Sequence, residues 1–178
     1  MLQIRPEQFE VLEAKLRIVL EECPSGWLGK LCERWYFFPG YKTLARFNYT
    51  KRSPEDRKRL RREFDSSGRK NFLKRLAAED PNALREAGIS DRAIARMRKR
   101  GKLPKGWQVH HKKPIDDNGD NRESNLVLIK DDPAHQAVTQ FGNSVISGMK
   151  PGETRTVEWP IVPGKIYPSR PDQVIVVK

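Results

Sequence analysis

The sequence predicts an α+β fold, in which helical N-terminal and middle regions lead into a strand–loop–strand–helix unit and a short β-rich tail. Three observations support this fold class. Apolar residues recur at helical spacing near the start, and helix start and stop signals recur through the middle third. Short β-prone runs separated by turn residues begin at Trp107. The predicted segments are 1–41, 42–105, 106–150 and 151–178, with 42–178 forming one domain.

The first segment, residues 1–41, is predicted to be helical. Its stretch "PEQFEVLEAKLRIVLEE" places Phe9, Leu12, Leu16 and Val19 on one stripe at helical spacing. The aromatic cluster "WYFFPGY" follows and ends in a Pro-Gly turn. We interpret that cluster as part of the core.

The middle segment, residues 42–105, is predicted to be a basic helical platform. Ser53 is suited to cap a helix that has Pro54 at its first position, and "DSSG" predicts a break further along. Ser90 is suited to begin another helix, "DRAIARMRKR", which Gly101 would end.

Positive charge is concentrated in this middle segment. The chain has a formal net charge of +12, from 35 Lys and Arg against 23 Asp and Glu. Residues 42–105 hold 21 of those basic residues and only 8 of the acidic ones. So concentrated an excess predicts a polyanionic partner. Nucleic acid is favoured over an anionic membrane surface, because the basic stretch lacks a broad apolar face.

Composition also limits the class of protein. A chain of 178 residues is long enough to bury a substantial core. No stretch approaches the roughly 20 apolar residues of a membrane span, and acidic residues interrupt the start, where a signal peptide needs an apolar run. Cys23 and Cys32 cannot form a Cys-rich zinc site by themselves. These features predict a soluble protein of a reducing compartment, cytoplasmic in the cell that makes it.

The strand–loop–strand–helix unit begins at Trp107. "WQVHH" and "NLVLI" are short β-prone runs, and "NGDN" between them is typical of a turn. "DDPAHQAVTQF" predicts a helix, with Asp132 as its cap and Pro133 at its first position. The Pro-rich tail predicts strands near 154–159 and 173–177.

All three histidines of the chain fall in this unit. His110 and His111 are neighbours on the first strand, so their side chains point to opposite faces. His135 lies on the first turn of the helix, which a hairpin can fold back over that strand. His110 and His135 could then bind one divalent metal ion, because neutral imidazole is a good ligand for transition metals. His111 would remain free to accept a proton, since its unperturbed pKa is about 6.5.

In combination, these residues resemble the motif of the HNH, or ββα-metal, nucleases. "HHKKP", an Asn-Leu pair eleven residues after the proline and a histidine ten residues after that asparagine match the motif over residues 106–141. The match is closest to the His-His form found in colicin-type DNases and in polymorphic toxins of the type VI secretion class. The resemblance implies that residues 106–150 form a ββα-metal finger within a nuclease domain.

The resemblance also implies a role for each residue. His110 and His135 would bind one divalent metal ion, His111 would be the general base, and Asn125 would orient that base. Thr139 stands where the colicin pattern has another histidine. Either Thr139 contacts the metal through a water molecule, or water and phosphate oxygens take the place of that ligand. The missing nitrogen ligand favours Mg²⁺ or Mn²⁺ over Zn²⁺ or Ni²⁺. Contacts with the nucleic acid are expected from five basic residues: Lys112, Lys113, Arg96, Lys99 and Arg100.

The implied function is metal-dependent hydrolysis of double-stranded DNA with little sequence preference, yielding 5′-phosphate and 3′-hydroxyl ends. The resemblance further implies an antibacterial toxin, delivered into the cytoplasm of a target bacterium without a signal peptide and neutralised by an acidic immunity protein. Residues 1–41 would then provide docking to a component of the secretion apparatus. Three alternatives stay open: a phage or mobile-element HNH endonuclease, an RNase, and a non-enzymatic DNA-binding protein with a structural metal.

Overall fold

The structure, a computed structural model, describes residues 25–177. The strands are β1 (Gly26–Leu31), β2 (Arg34–Pro39), β3 (Lys42–Thr50), β4 (Trp107–His111), β5 (Leu126–Lys130), β6 (Thr154–Ile161), β7 (Ile166–Tyr167) and β8 (Ile175–Val177). The α-helices are α1 (Pro54–Glu63), α2 (Arg69–Glu79), α3 (Pro81–Glu86), α4 (Asp91–Arg100) and α5 (Gln136–Ile146). Among these residues, no helix has both the length and the apolar character needed to cross a bilayer.

The strands of the described region form three small sheets. Their strand orders are β1-β2-β8, β3-β6 and β4-β5-β7. The pairs within them are antiparallel except β5–β7, which is parallel. Each of the three C-terminal strands therefore completes a different sheet.

The predicted fold class is wrong, because the protein has a mixed α/β fold built on these three sheets. Residues 26–50 form three strands where the sequence predicted helical regions, and the helix predicted over 6–22 lies outside the described residues. The strand pair with the histidines belongs to a three-stranded sheet rather than to a finger. Strands from the tail pair within all three sheets. Partners as distant as β2 and β8 leave no local pattern, which is why sequence periodicity missed this pairing.

Several local predictions about helix ends are confirmed. Ser53 caps α1, since its Oγ accepts a hydrogen bond from Asp56 N at 3.2 Å, and Pro54 is the first helical residue. Gly101 ends α4 in the left-handed conformation with φ 60°. A Cβ there would lie 2.7 Å from the carbonyl oxygen of Lys70, so glycine is required by space as well. The break predicted at "DSSG" is wrong, because the chain makes one π-helical turn, 64–68, and continues without interruption into α2.

Strand β5 lies in the centre of the core and is buried on both faces. Leu126 and Leu128 pack in a cluster with side chains of α2, α3 and α4, whereas Val127 and Ile129 pack in a second cluster with side chains of α5 and β2. Strand β4 pairs with β5 and separates the same two layers. His110 and His111, neighbours on β4, therefore point into different layers.

Candidate functional site

Strand β4 and the turn before α5 bring His110 and His135 together. Their ring centroids are 5.5 Å apart and the ring planes meet at 80°. The Nε2 atom of His110 is buried and has no hydrogen-bond partner among residues 25–177. Leaving a buried polar atom unpaired costs about 1–3 kcal/mol, so such an atom needs an explanation beyond folding. A bound ligand at this pair of rings would supply one.

The ring of His135 is oriented by a carboxylate. Its Nδ1 lies 3.2 Å from Oδ1 of Asp131, one helical turn earlier. Because the carboxylate can only accept, neutral His135 carries its proton on Nδ1 and its lone pair on Nε2. A carboxylate behind a histidine is the usual second partner of a metal-binding imidazole.

The two histidines fit a divalent metal ion, although they do not complete its coordination. Two imidazole nitrogens bound to one ion at about 2.1 Å each lie within about 4.2 Å of each other, which rings 5.5 Å apart can satisfy. Within residues 25–177, no group of three His, Cys, Asp or Glu side chains could hold a metal. The remaining ligands would be water or substrate oxygens. Thr139, exposed one turn beyond His135, lines the same cleft.

His111 lies on the opposite face of β4 and is only 7% exposed. Its Nε2 is 2.9 Å from Oδ1 of Asn121, and Nδ2 of Asn121 donates to the carbonyl of Leu60 at 3.0 Å. The amide orientation is thus set by Leu60, and Oδ1 must accept from His111. Neutral His111 therefore carries its proton on Nε2, which leaves the Nδ1 lone pair as the group that can accept a proton.

All three histidines are held in the neutral form near pH 7. Burial, and then the neighbouring imidazoles of His135 and His111, lowers the pKa of His110 to about 3. Burial also lowers the pKa of His111, opposed by the hydrogen bond with Asn121 and assisted by the positive charge of Arg61. Burial lowers the pKa of His135, against the opposing effect of Asp131. Neutral imidazoles are what both metal binding and proton acceptance require.

Within residues 25–177, the side chain of Asn125 forms its hydrogen bonds across the loop between β4 and β5 rather than with His111. Its Oδ1 accepts from the backbone N–H of Lys113 at 2.8 Å, and its Nδ2 donates to the carbonyls of Lys113 and Asp120 at 2.9 and 2.8 Å. The loop is tight here, because a Cβ on Gly119 would lie 2.1 Å from the carbonyl oxygen of Lys113. Asn125 thus acts on the loop that carries Asn121, and only through that loop on His111.

The three histidines line one cleft of about 380 Å³, which we call the histidine cleft. Three arginines also line it: Arg57 and Arg61 from α1, and Arg69 from the start of α2. Two of these are paired, Arg57 with Asp116 at 3.0 Å and Arg69 with Asp65. Arg61 has no ion-pair partner within residues 25–177 and is the cation most available to an incoming anion.

None of the five basic residues predicted to contact nucleic acid belongs to the lining of the histidine cleft within residues 25–177. Lys112 is half-buried, and burial lowers its pKa. Lys113 has its Nζ 5.3 Å from the ring centroid of Phe47. Arg96, Lys99 and Arg100 are exposed on α4, and Arg96 lines a separate pocket.

Sequence reasoning missed Asn121 and the cleft arginines. Asn121 falls in a run of turn residues, where asparagine has an ordinary local explanation. Arg57 and Arg61 are four residues apart, and with Phe64 they mark one helical face. That spacing was visible in the sequence, but only the tertiary structure shows that this helical face lines the same cleft as the histidines.

The chain is similar to a curated protein of Escherichia coli (strain K12), described as "Uncharacterized protein YhhZ". The two are 36% identical over 144 residues, which is 81% of this chain. The match spans 36% of the length of the relative. No family model matches the chain, and no solved structure matches it either.

Proposed function

We propose that the chain is a metal-dependent endonuclease that hydrolyses DNA phosphodiester bonds with little sequence preference. The observation that carries the proposal is the buried, unpartnered Nε2 of His110 beside the ring of His135, with His111 neutral in the same cleft. One pair of imidazoles suited to a cation and one suited to accept a proton are the parts that phosphodiester hydrolysis needs. The resemblance to HNH nucleases leads to the same assignment.

His110 and His135 are proposed to hold one divalent ion, with Asp131 fixing the ring of His135. When bound, such an ion neutralises negative charge that builds on the phosphate and leaving oxygens. With only two nitrogen ligands from the protein, Mg²⁺ or Mn²⁺ is favoured over Zn²⁺ or Ni²⁺. Thr139 is proposed to contact the ion only through water.

His111 is proposed to accept a proton from the attacking water on Nδ1. The water oxygen bonds to phosphorus as the bond from phosphorus to the 3′ oxygen breaks, and that oxygen leaves with a proton from solvent. Asn121 holds the proton of His111 on Nε2 and so keeps Nδ1 free for this step. Burial, assisted by the charge of Arg61, lowers the pKa of His111 and keeps the base unprotonated.

The cleft arginines are proposed to bind the phosphate backbone. Arginine contacts with phosphate position a duplex but carry no sequence information, and they weaken as salt rises. Arg61 would bind directly, whereas Arg57 and Arg69 would exchange their carboxylate partners for phosphate.

Metal-dependent nicking tests the proposal. Incubation of the chain with supercoiled plasmid and Mg²⁺ or Mn²⁺ is expected to give nicked and linear DNA, and excess EDTA is expected to abolish it. A structured RNA offered in the same reaction decides between DNase and RNase. Binding of DNA without cleavage across Mg²⁺, Mn²⁺, Zn²⁺ and Ni²⁺ would overturn the enzyme assignment in favour of a DNA-binding protein.

Replacing Asn121 by alanine is expected to lower the nicking rate by about 10- to 100-fold, because the base loses its tautomer and orientation. The pH profile of nicking should change with it, since the hydrogen bond that raises the pKa of His111 is lost. Asn118→Ala, in the same loop and exposed, is the matched control and should retain the wild-type rate. Equal rates for both variants would exclude Asn121 as the positioning residue.

The biological role is proposed to be that of an antibacterial toxin, with residues 1–41 serving delivery and an acidic immunity protein binding the basic surface. This part rests on the resemblance and on the charge of residues 42–105. Expression of the chain in bacteria is expected to arrest growth and degrade the nucleoid. Co-expression with the product of the adjacent gene should relieve that effect, and if it does not, a phage or mobile-element endonuclease is the better assignment.

A further inference from the structure

A second pocket of about 440 Å³ lies between the start of α4 and the segment that leads into β4. Three basic side chains line it: Arg96 from α4, and Lys102 and Lys105 from the connecting segment. Its apolar side includes Leu103 and Trp107. We call it the basic pocket. Its volume lies within the range of ordinary ligand sites.

The charge of the basic pocket is uncompensated. No carboxylate lines it, and its three cations form no ion pair within residues 25–177. Arg96 donates only to the backbone carbonyl of Arg92, at 3.3 Å. The nearby Asp91 is paired with Arg85 instead. Three like charges around one concavity repel each other and attract a polyanion.

Strand β4 links the basic pocket to the histidine cleft. Trp107, its first residue, lines the pocket, whereas His110 and His111 at its other end line the cleft. Four residues of extended strand span about 13 Å. That distance corresponds to about four base pairs along a B-form duplex, so a duplex bound at both concavities would contact them about four base pairs apart.

We propose that the basic pocket is a second binding site for nucleic-acid phosphates, which holds the substrate about four base pairs from the bond that is cut. The identity of the polymer rests on the proposed function, but binding at the pocket does not require hydrolysis. Arg96, Lys102 and Lys105 contact the backbone, and the site adds affinity without reading bases.

The salt dependence of binding tests this site. Binding of a fluorescein-labelled 24-base-pair duplex is measured in EDTA over a range of NaCl for the wild type and for Arg96→Gln/Lys102→Gln/Lys105→Gln. Each lost phosphate contact makes the negative slope of log K against log salt shallower by about 0.9, so the magnitude of the slope is expected to decrease by about 2 to 3. Lys42→Gln/Arg46→Gln/Arg170→Gln removes the same charge from exposed positions outside both concavities, and its slope should change by less than about 1.

Hydrolysis of bis(p-nitrophenyl) phosphate, too small to reach the basic pocket, is expected to proceed at the wild-type rate in both triple variants. If the slopes of the two variants are equal, the pocket is not a phosphate site. A further outcome is that the wild type cleaves neither DNA nor the small diester while the pocket variant still shows a shallower salt dependence of duplex binding than the wild type. That result would overturn the proposed function and support the phosphate-binding site.

Discussion

His111→Ala is expected to lower the rate of plasmid nicking by about 10²–10⁴-fold, the usual contribution of a general base. His111 is the neutral imidazole of the histidine cleft with a free Nδ1 lone pair, and it has no part in the pair formed by His110 and His135. The loss should therefore fall on the chemical step. Single-turnover nicking at saturating protein, with Mg²⁺ or Mn²⁺ present, measures it directly.

Two controls separate loss of the base from loss of structure. The His111→Ala variant should bind the labelled duplex in EDTA as tightly as the wild type, and Mn²⁺ should still raise its melting temperature. His111 packs against Phe64 with ring centroids 4.6 Å apart, so His111→Phe, which restores packing without a base, should be equally inactive. Nicking within a few-fold of the wild-type rate in either variant would remove His111 from the mechanism.

His110→Leu is expected to make the metal-free protein more stable while it abolishes metal binding. At pH 7 in EDTA, leucine removes a buried nitrogen that has no hydrogen-bond partner, which should raise the free energy of unfolding by about 1 kcal/mol. In the wild type, metal at 100 times its Kd should add about 2.7 kcal/mol, and this gain should vanish in the variant. Urea unfolding with EDTA or with Mn²⁺ measures both effects.

The pH dependence of the same measurement identifies the buried imidazole. The folded-state pKa of His110 is lowered to about 3, so the unfolded chain binds the extra proton first as pH falls below about 6.5. Wild-type stability is therefore full above about pH 6.5 and falls by up to about 1.4 kcal/mol per pH unit from this group as pH drops towards 3. His110→Leu should flatten this slope without removing it, because the pKa values of His111 and His135 are lowered too.

His135→Leu is the matched comparison. It removes the other nitrogen of the pair and should also abolish the gain from Mn²⁺, but it breaks a hydrogen bond with Asp131 and should not stabilise the metal-free protein. A His110→Leu variant that is destabilised in EDTA and still stabilised by Mn²⁺ would show that His110 has a structural role only.

The parts of the structure that the sequence predicted are those with a local cause. A hydroxyl before a proline predicts the cap at Ser53, and a glycine after basic residues predicts the helix end at Gly101. The tail strands predicted near 154–159 and 173–177 are present as β6 and β8. The signals for each lie within a few residues, where backbone geometry and capping decide the outcome.

The parts that the sequence did not predict depend on distant partners. The aromatic run of β2 was interpreted as core, but its pairing with β1 on one side and β8 on the other could not be deduced from either segment. The orientation of the Asn121 side chain depends on its hydrogen bond to the carbonyl of Leu60, 61 residues earlier in the chain. The position of Arg57, Arg61 and Arg69 beside the histidines is likewise visible only in the tertiary structure, where they line one cleft.

The sequence alone thus determined the chemical inventory: three imidazoles, an uneven distribution of positive charge, and short elements with recognisable ends. Tertiary structure decided which of these groups meet, because burial and long-range strand pairing select among contacts that are equally compatible with local sequence. The unpaired nitrogen of His110 illustrates the difference. The sequence shows that position 110 is a histidine. Only the packing of β4 against the turn before α5 buries its Nε2 and places its ring beside that of His135.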